Sequence, residues 1–143
     1  MQNKKLAVLL AIVMLSLALA ACGGGGGGGE TAAPEPVSLA FNGLDEFRYD
    51  PESASVSSGA AVTVNFTNTG ALEHDWMLVT EGTDVNALTA ANAVVPEAHS
   101  GVIPGGQSNT FTFTAPAAGT YQIVCTVPGH APAGMVGTLT VTE

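Results

Sequence analysis

Near the C-terminus, a thiol, an imidazole and a thioether fall within one loop-length segment: Cys125-Thr126-Val127-Pro128-Gly129-His130-Ala131-Pro132-Ala133-Gly134-Met135. A second imidazole, His74, stands far upstream in a strand-like run. Soft sulfur with imidazole nitrogen suits copper, and two His, one Cys and a weaker Met are the ligand set of a blue-copper electron-transfer centre. His74, Cys125, His130 and Met135 are therefore the candidate ligands of one copper ion. Pro128 and Pro132 stiffen the loop, while Gly129 and Gly134 let it turn sharply, as a loop must whose side chains converge on one point. Each residue also has a plainer reading. Cys125 can be an inert buried thiol and Met135 core packing, and His130 can be a surface loop histidine, although glycine and alanine flank it directly. Met77 falls on the face opposite His74 and is assigned to packing. The third histidine, His99, lies in the polar stretch Glu97-Ala98-His99-Ser100-Gly101 and reads as a solvated loop residue.

The elements that must position these side chains read as strands. From Val37 onward apolar residues recur with period two, the signature of half-buried strands. Val37, Leu39 and Phe41 alternate with Ser38, Ala40 and Asn42, and Val62, Val64 and Phe66 alternate with Thr63, Asn65 and Thr67. His74, Trp76 and Leu78 share one face, as do Tyr121, Ile123 and Cys125, and Met135, Gly137, Leu139 and Val141. Turn signals at Ser57-Ser58-Gly59, Asn68-Thr69-Gly70, Pro104-Gly105-Gly106 and Ala117-Ala118-Gly119 separate the runs. The expectation is an all-β fold, an antiparallel Greek-key β-sandwich. One short helical insertion is expected at Asp84 to Val95, where Val85, Leu88, Ala91 and Val95 keep helical spacing. Thr83 or Asp84 would cap its start and Pro96 would stop it.

The chain has 143 residues, 46% hydrophobic and 10% charged, enough for one ordinary domain. Residues 1–21 read as a lipoprotein-type signal peptide. Lys4 and Lys5 precede an apolar run, and Leu19-Ala20-Ala21-Cys22 resembles the bacterial lipoprotein cleavage box. That resemblance implies a lipid on Cys22; an uncleaved N-terminal anchor is the competing reading. Residues 22–36, with the unbroken run Gly23 to Gly29, read as a flexible tether, and residues 37–143 as the folded domain. Either reading holds the domain at a membrane surface outside the cytoplasm. Export favours disulfides, but a Cys22–Cys125 bridge is incompatible with a lipidated Cys22. Without residues 1–21 one base, Arg48, faces twelve acids, a net charge of −11. Such a surface repels phosphate backbones and argues against nucleic-acid binding.

Thr120-Tyr121-Gln122-Ile123-Val124-Cys125-Thr126-Val127-Pro128-Gly129-His130 resembles the copper-binding segment of the azurin-type cupredoxins. His74-Asp75-Trp76-Met77-Leu78-Val79 is similar to the strand carrying their first histidine. The four residues between His130 and Met135, one more than in azurin, match the auracyanins, membrane-associated blue copper proteins of filamentous green phototrophic bacteria. The resemblance covers residues 37–143. It implies a cupredoxin fold and a monomeric one-electron carrier rather than an enzyme. It also implies redox partners: a membrane-bound donor complex and a cytochrome or reaction-centre acceptor. In that picture His130 passes the electron at the surface, ringed by Val127, Pro128, Ala131, Pro132 and Ala133. The family usually has asparagine after the first histidine; here it is Asp75, which can accept a bond from Thr126 but cannot donate one. The other readings are a copper-delivery or copper-storage protein, a cysteine-nucleophile enzyme, and a metal-free adhesive sandwich.

Overall fold

The computed structural model describes residues 33–143, so the signal segment 1–21 and most of the tether 22–36 lie outside the described residues. Eight strands follow the period-two pattern: β1 (Val37–Leu44), β2 (Arg48–Asp50), β3 (Ser53–Ser57), β4 (Ala61–Asn68), β5 (Met77–Thr80), β6 (Ser108–Thr114), β7 (Gly119–Val124) and β8 (Val136–Thr142). In β4, Val62, Val64, Phe66 and Asn68 are buried, while Ala61 and Asn65 face solvent. In β8, Gly137, Leu139 and Val141 point inward. The strands form two four-stranded sheets, ordered β2-β1-β4-β6 and β3-β8-β7-β5. Between them lies the core, with Trp76 fully buried at its centre. Its ring centroid is 5.9 Å from that of Phe41, 5.4 Å from Phe111 and 6.0 Å from Phe113.

The sandwich is as the alternation implies, but its sheets are mixed. β1 pairs with β4 and β3 pairs with β8 in parallel, and the other four pairings are antiparallel. Alternation cannot separate these cases, because inward and outward residues alternate identically in both. Sixteen residues lie between Leu44 and Ala61, which meets the dozen or so that a parallel crossover needs.

The expected helix at 84–95 is absent; only a 3-10 turn at Ala90–Asn92 forms there. Local polar side chains take the bonds a helix would have used. Asp84 Oδ1 accepts the Asn86 backbone N–H at 2.9 Å, and Asn92 Oδ1 accepts the Thr89 N–H at 2.7 Å. The segment instead lies along β5, where Leu78 N–H donates to Ala98 O at 3.0 Å and Val94 N–H to Leu78 O at 2.9 Å. Val85 and Leu88 still pack inward, against the cluster of Met77, Val79, Val124 and Ala131.

This topology gathers three loops at one end. β1 and β4 finish side by side, with Gly43 opposite Asn68, and β6 begins there opposite Thr67. Asn68 is fully buried and ties the loops together. Its Nδ2 donates to Leu72 O at 2.7 Å and Ile103 O at 2.8 Å, and its Oδ1 accepts the Gly70 N–H at 3.0 Å. Removing a buried hydrogen-bonding group and orphaning its partners costs about 1–3 kcal/mol. Asn68→Ala should therefore lower the stability of the domain by about 2–3 kcal/mol, read from the shift in its urea midpoint.

Candidate metal centre

His74 is fixed at the sheet end before β5 begins. Its N–H donates to Ile103 O at 3.1 Å, and Ile103 N–H returns to His74 O at 2.7 Å. The side chain is fully buried. Cys125 follows directly on β7, and the chain from 126 to 135 folds into successive turns before β8. His130 N–H donates to Val127 O at 3.1 Å and Met135 N–H to His130 O at 3.0 Å. Gly134 has φ 119°, in a region that non-glycine residues rarely adopt.

Three of the four candidate residues come together here. His74 Nδ1 is 3.2 Å from His130 Nδ1, and Cys125 Sγ is 3.5 Å from the same atom. One ligand atom from each residue lies within 4.8 Å of the others. Two imidazole lone pairs and a sulfur facing one another at such separations repel unless a cation or proton lies among them. The spacings leave room for one ion at ordinary metal–nitrogen and metal–sulfur bonds of about 2.0–2.3 Å. Met135 is fully buried, and its carbonyl accepts the Cys125 N–H at 3.3 Å, closing the loop on itself.

The electrostatics act in opposite ways on the nitrogen and the sulfur. Burial, then the neighbouring His74, holds the His130 imidazole below its ordinary pKa. Burial, then the nearby Asp75 charge, pushes the Cys125 thiol up to about 12. A ring without its proton is ready to coordinate, whereas the thiol has to surrender one.

Asp75 is fully buried next to His74. Its Oδ1 accepts the Thr126 backbone N–H at 2.6 Å, and its Oδ2 accepts the Thr126 hydroxyl. The strand of the first histidine is thus tied to the residue after the cysteine, in the acceptor role expected for a carboxyl. His99 corrects an expectation, since it is no solvated loop residue. Its side chain is only 20% exposed, and its Nε2 lies 2.9 Å from Asp75 Oδ2. A backbone bridge between Met77 and His99 brings it there. No local pattern in the sequence announces this contact; only once the fold buries Asp75 does its carboxyl call for a partner.

Three further contacts carry no sequence signature. Tyr49 is fully buried and donates its hydroxyl to Asp75 O at 2.7 Å. Phe47, at φ 55°, sets its ring 4.8 Å from that of His130. Asp45, in the turn between β1 and β2, brings Oδ1 to 3.3 Å from His74 Nε2.

A β-sandwich that brings two imidazoles and a cysteine sulfur together at one end defines a cupredoxin with a type 1, or blue, copper centre. The profile of copper-binding proteins of the plastocyanin/azurin family matches residues 37–142, and the chain belongs to that family. Auracyanin-A of Chloroflexus aurantiacus is 37% identical over 117 residues, 71% of each chain. The solved structure of auracyanin A, described as a "blue" copper protein from that bacterium, matches with a TM-score of 0.65 and 34% identity over 75% of this chain and 99% of that one. The copper-resistant cuproprotein CopI of Rubrivivax gelatinosus is 30% identical over 102 residues, 68% of this chain and 61% of its own.

Because the Cys125 thiol holds its proton until about pH 12, while copper binds the thiolate, uptake at neutral pH should release one proton per ion. Below the thiol pKa, apparent copper affinity should then rise about tenfold per pH unit, as measured by chelator competition between pH 7 and pH 8. A pH-independent affinity would show that the thiol is already ionised in the metal-free protein.

Proposed function

We propose that the chain is a one-electron carrier in which His74, Cys125 and His130 would hold a single copper ion, with Met135 as a weaker fourth ligand. The convergence of the two Nδ1 atoms and Sγ within 4.8 Å carries this reading. When bound, copper supplies exchange of one electron between Cu(II) and Cu(I). The chain supplies the rest. The rigid sandwich holds His74 and the 125–135 loop in place, so little rearrangement accompanies the change of oxidation state. Asp75 holds the His74 segment against Thr126 and places negative charge near the site, which favours Cu(II). The half-buried His130 ring, with Pro128 and Pro132 beside it in the chain, offers an uncharged contact for brief encounters with small buried area.

The sequence supports a position outside the cytoplasm, with residues 1–21 as signal, Cys22 lipidated, residues 22–36 as tether and residues 37–143 as the domain. Its partners in that reading are redox proteins, a membrane-bound donor and a cytochrome or reaction-centre acceptor, met as a monomer. The hollow beside Cys125 is about 210 Å³, below the roughly 300 Å³ of ordinary ligand pockets, and offers little to a nucleophilic enzyme. The likeness to a copper-resistant cuproprotein favours a second reading, copper delivery or storage.

Adding Cu(II) to the purified domain separates these readings. A carrier should turn intensely blue or blue-green, bleach with ascorbate, recolour on oxidation, and keep its copper against a chelator through the cycle. A delivery protein should give up the ion, and a thiol enzyme or adhesive domain should stay pale. Cys125→Ser should abolish the colour, while Met135→Leu should keep it and raise the reduction potential. Asp75→Asn should also raise the potential, by about 59 mV for each tenfold loss of preference for Cu(II). An unchanged potential in Asp75→Asn would remove the role given to that charge.

A further inference from the structure

Asp45 is built into the metal end of the molecule. It sits in the turn that links β1 to β2, closed by Phe47 N–H donating to Leu44 O at 3.1 Å. Its carboxyl reaches across to the loop after β4 and accepts two backbone amides there. Ala71 N–H lies 2.8 Å from Oδ2 and 3.0 Å from Oδ1, and Leu72 N–H lies 3.1 Å from Oδ1. These amides seat the carboxyl and fix the orientation of its two oxygens. The space it occupies exists because residue 70 is glycine: a Cβ there would stand 2.7 Å from the Asp45 carboxyl carbon. The remaining direction of Oδ1 is toward His74 Nε2, 3.3 Å away.

The two nitrogens of the His74 ring thus have different tasks. Nδ1 faces His130 and the copper position, and must present a lone pair. In a neutral ring the proton is then on Nε2, where it points at Asp45. The bond crosses 29 residues of chain, so only the fold brings it about.

We propose that Asp45 is a positioning residue of the copper centre. Its carboxylate locks the His74 ring in the Nε2–H tautomer and makes that imidazole a stronger donor to the ion, favouring Cu(II) over Cu(I). The inference rests on His74 being a ligand, as in the function proposed above. Metal-ligating histidines ordinarily pass their second N–H to a carboxylate or carbonyl, and loss of that partner costs about 10–100-fold in metal affinity. A carboxylate accepts that proton with a full charge, so the effect falls on the choice between oxidation states as well as on retention. If Asp45 served only to staple the Ala71–Leu72 loop, its removal would lower stability and leave the potential where it was.

Three variants separate the two roles. Asp45→Asn keeps an oxygen for the backbone amides but removes the charge. Asp45→Ala removes both. Gly70→Ala keeps the carboxylate and displaces it from its seat. In the metal-free protein, nitrogen NMR should find His74 as the Nε2–H tautomer, and Asp45→Ala should abolish that preference. In the copper-loaded protein, Asp45→Asn and Gly70→Ala should both raise the potential, a tenfold loss of Cu(II) preference reading as about 59 mV. Asp45→Ala should retain Cu(II) about 10–100-fold less tightly against a chelator. Folded Asp45→Asn and Gly70→Ala proteins with the wild-type potential, or a wild-type His74 that is not the Nε2–H tautomer, would overturn the proposal. If Asp45→Ala does not fold, the Asp45→Asn potential and the wild-type spectrum still decide. A protein that never colours with copper would refute the proposed function, while the metal-free spectrum would still report on the Asp45–His74 bond.

Discussion

Two imidazole nitrogens and a sulfur, each with a lone pair directed at the same small volume, would move apart if the chain let them. His74 Nδ1, His130 Nδ1 and Cys125 Sγ stay within 4.8 Å because different parts of the fold hold each from behind. The His74 backbone is pinned to Ile103, and the 125–135 loop is closed by bonds between Cys125, His130 and Met135. Asp75 fastens one to the other through Thr126. A site assembled in this way costs stability when empty and returns it when filled, since whatever binds only the folded state stabilises that state by mass action.

Most of the frame was legible in the residues. Period-two alternation placed His74, Trp76 and Leu78 on one face and Cys125 with Ile123; all five are buried, and all but His74 belong to the main core cluster. The loop chemistry of Pro128, Gly129, Pro132 and Gly134 foretold a tight return, and Asp75 meets Thr126 as an acceptor should. Parallel pairing of β1 with β4 left no trace, because alternation is blind to strand direction. The helical spacing of Val85, Leu88, Ala91 and Val95 misled, because Asp84, Thr89 and Asn92 had closer uses for their oxygens than the cap of a helix.

Asp45 and His99 were invisible for a different reason. Each meets its partner across a long stretch of chain, 29 residues for Asp45 with His74 and 24 for His99 with Asp75. Loop trajectories fix such contacts, and no local pattern announces a loop trajectory. Composition held a partial hint. Once the fold buries Asp75, an acid so placed needs donors or a counter-charge, and few histidines or other bases were available to supply them.

The path of the segment between β5 and β6 bears on how the molecule stays dispersed. β5 is the outermost strand of its sheet, and an open strand edge is a template for pairing with another chain. Proteins often blunt such edges with lysine, yet the only lysines in the sequence are Lys4 and Lys5, both outside the described residues. The stretch that declined to become a helix does that work with its own backbone: Val94, Ala98 and Ser100 hydrogen-bond to Leu78 and Trp76 at positions that a second molecule would otherwise seek. The β5 edge is thereby shielded from edge-to-edge pairing without a positive charge being placed there.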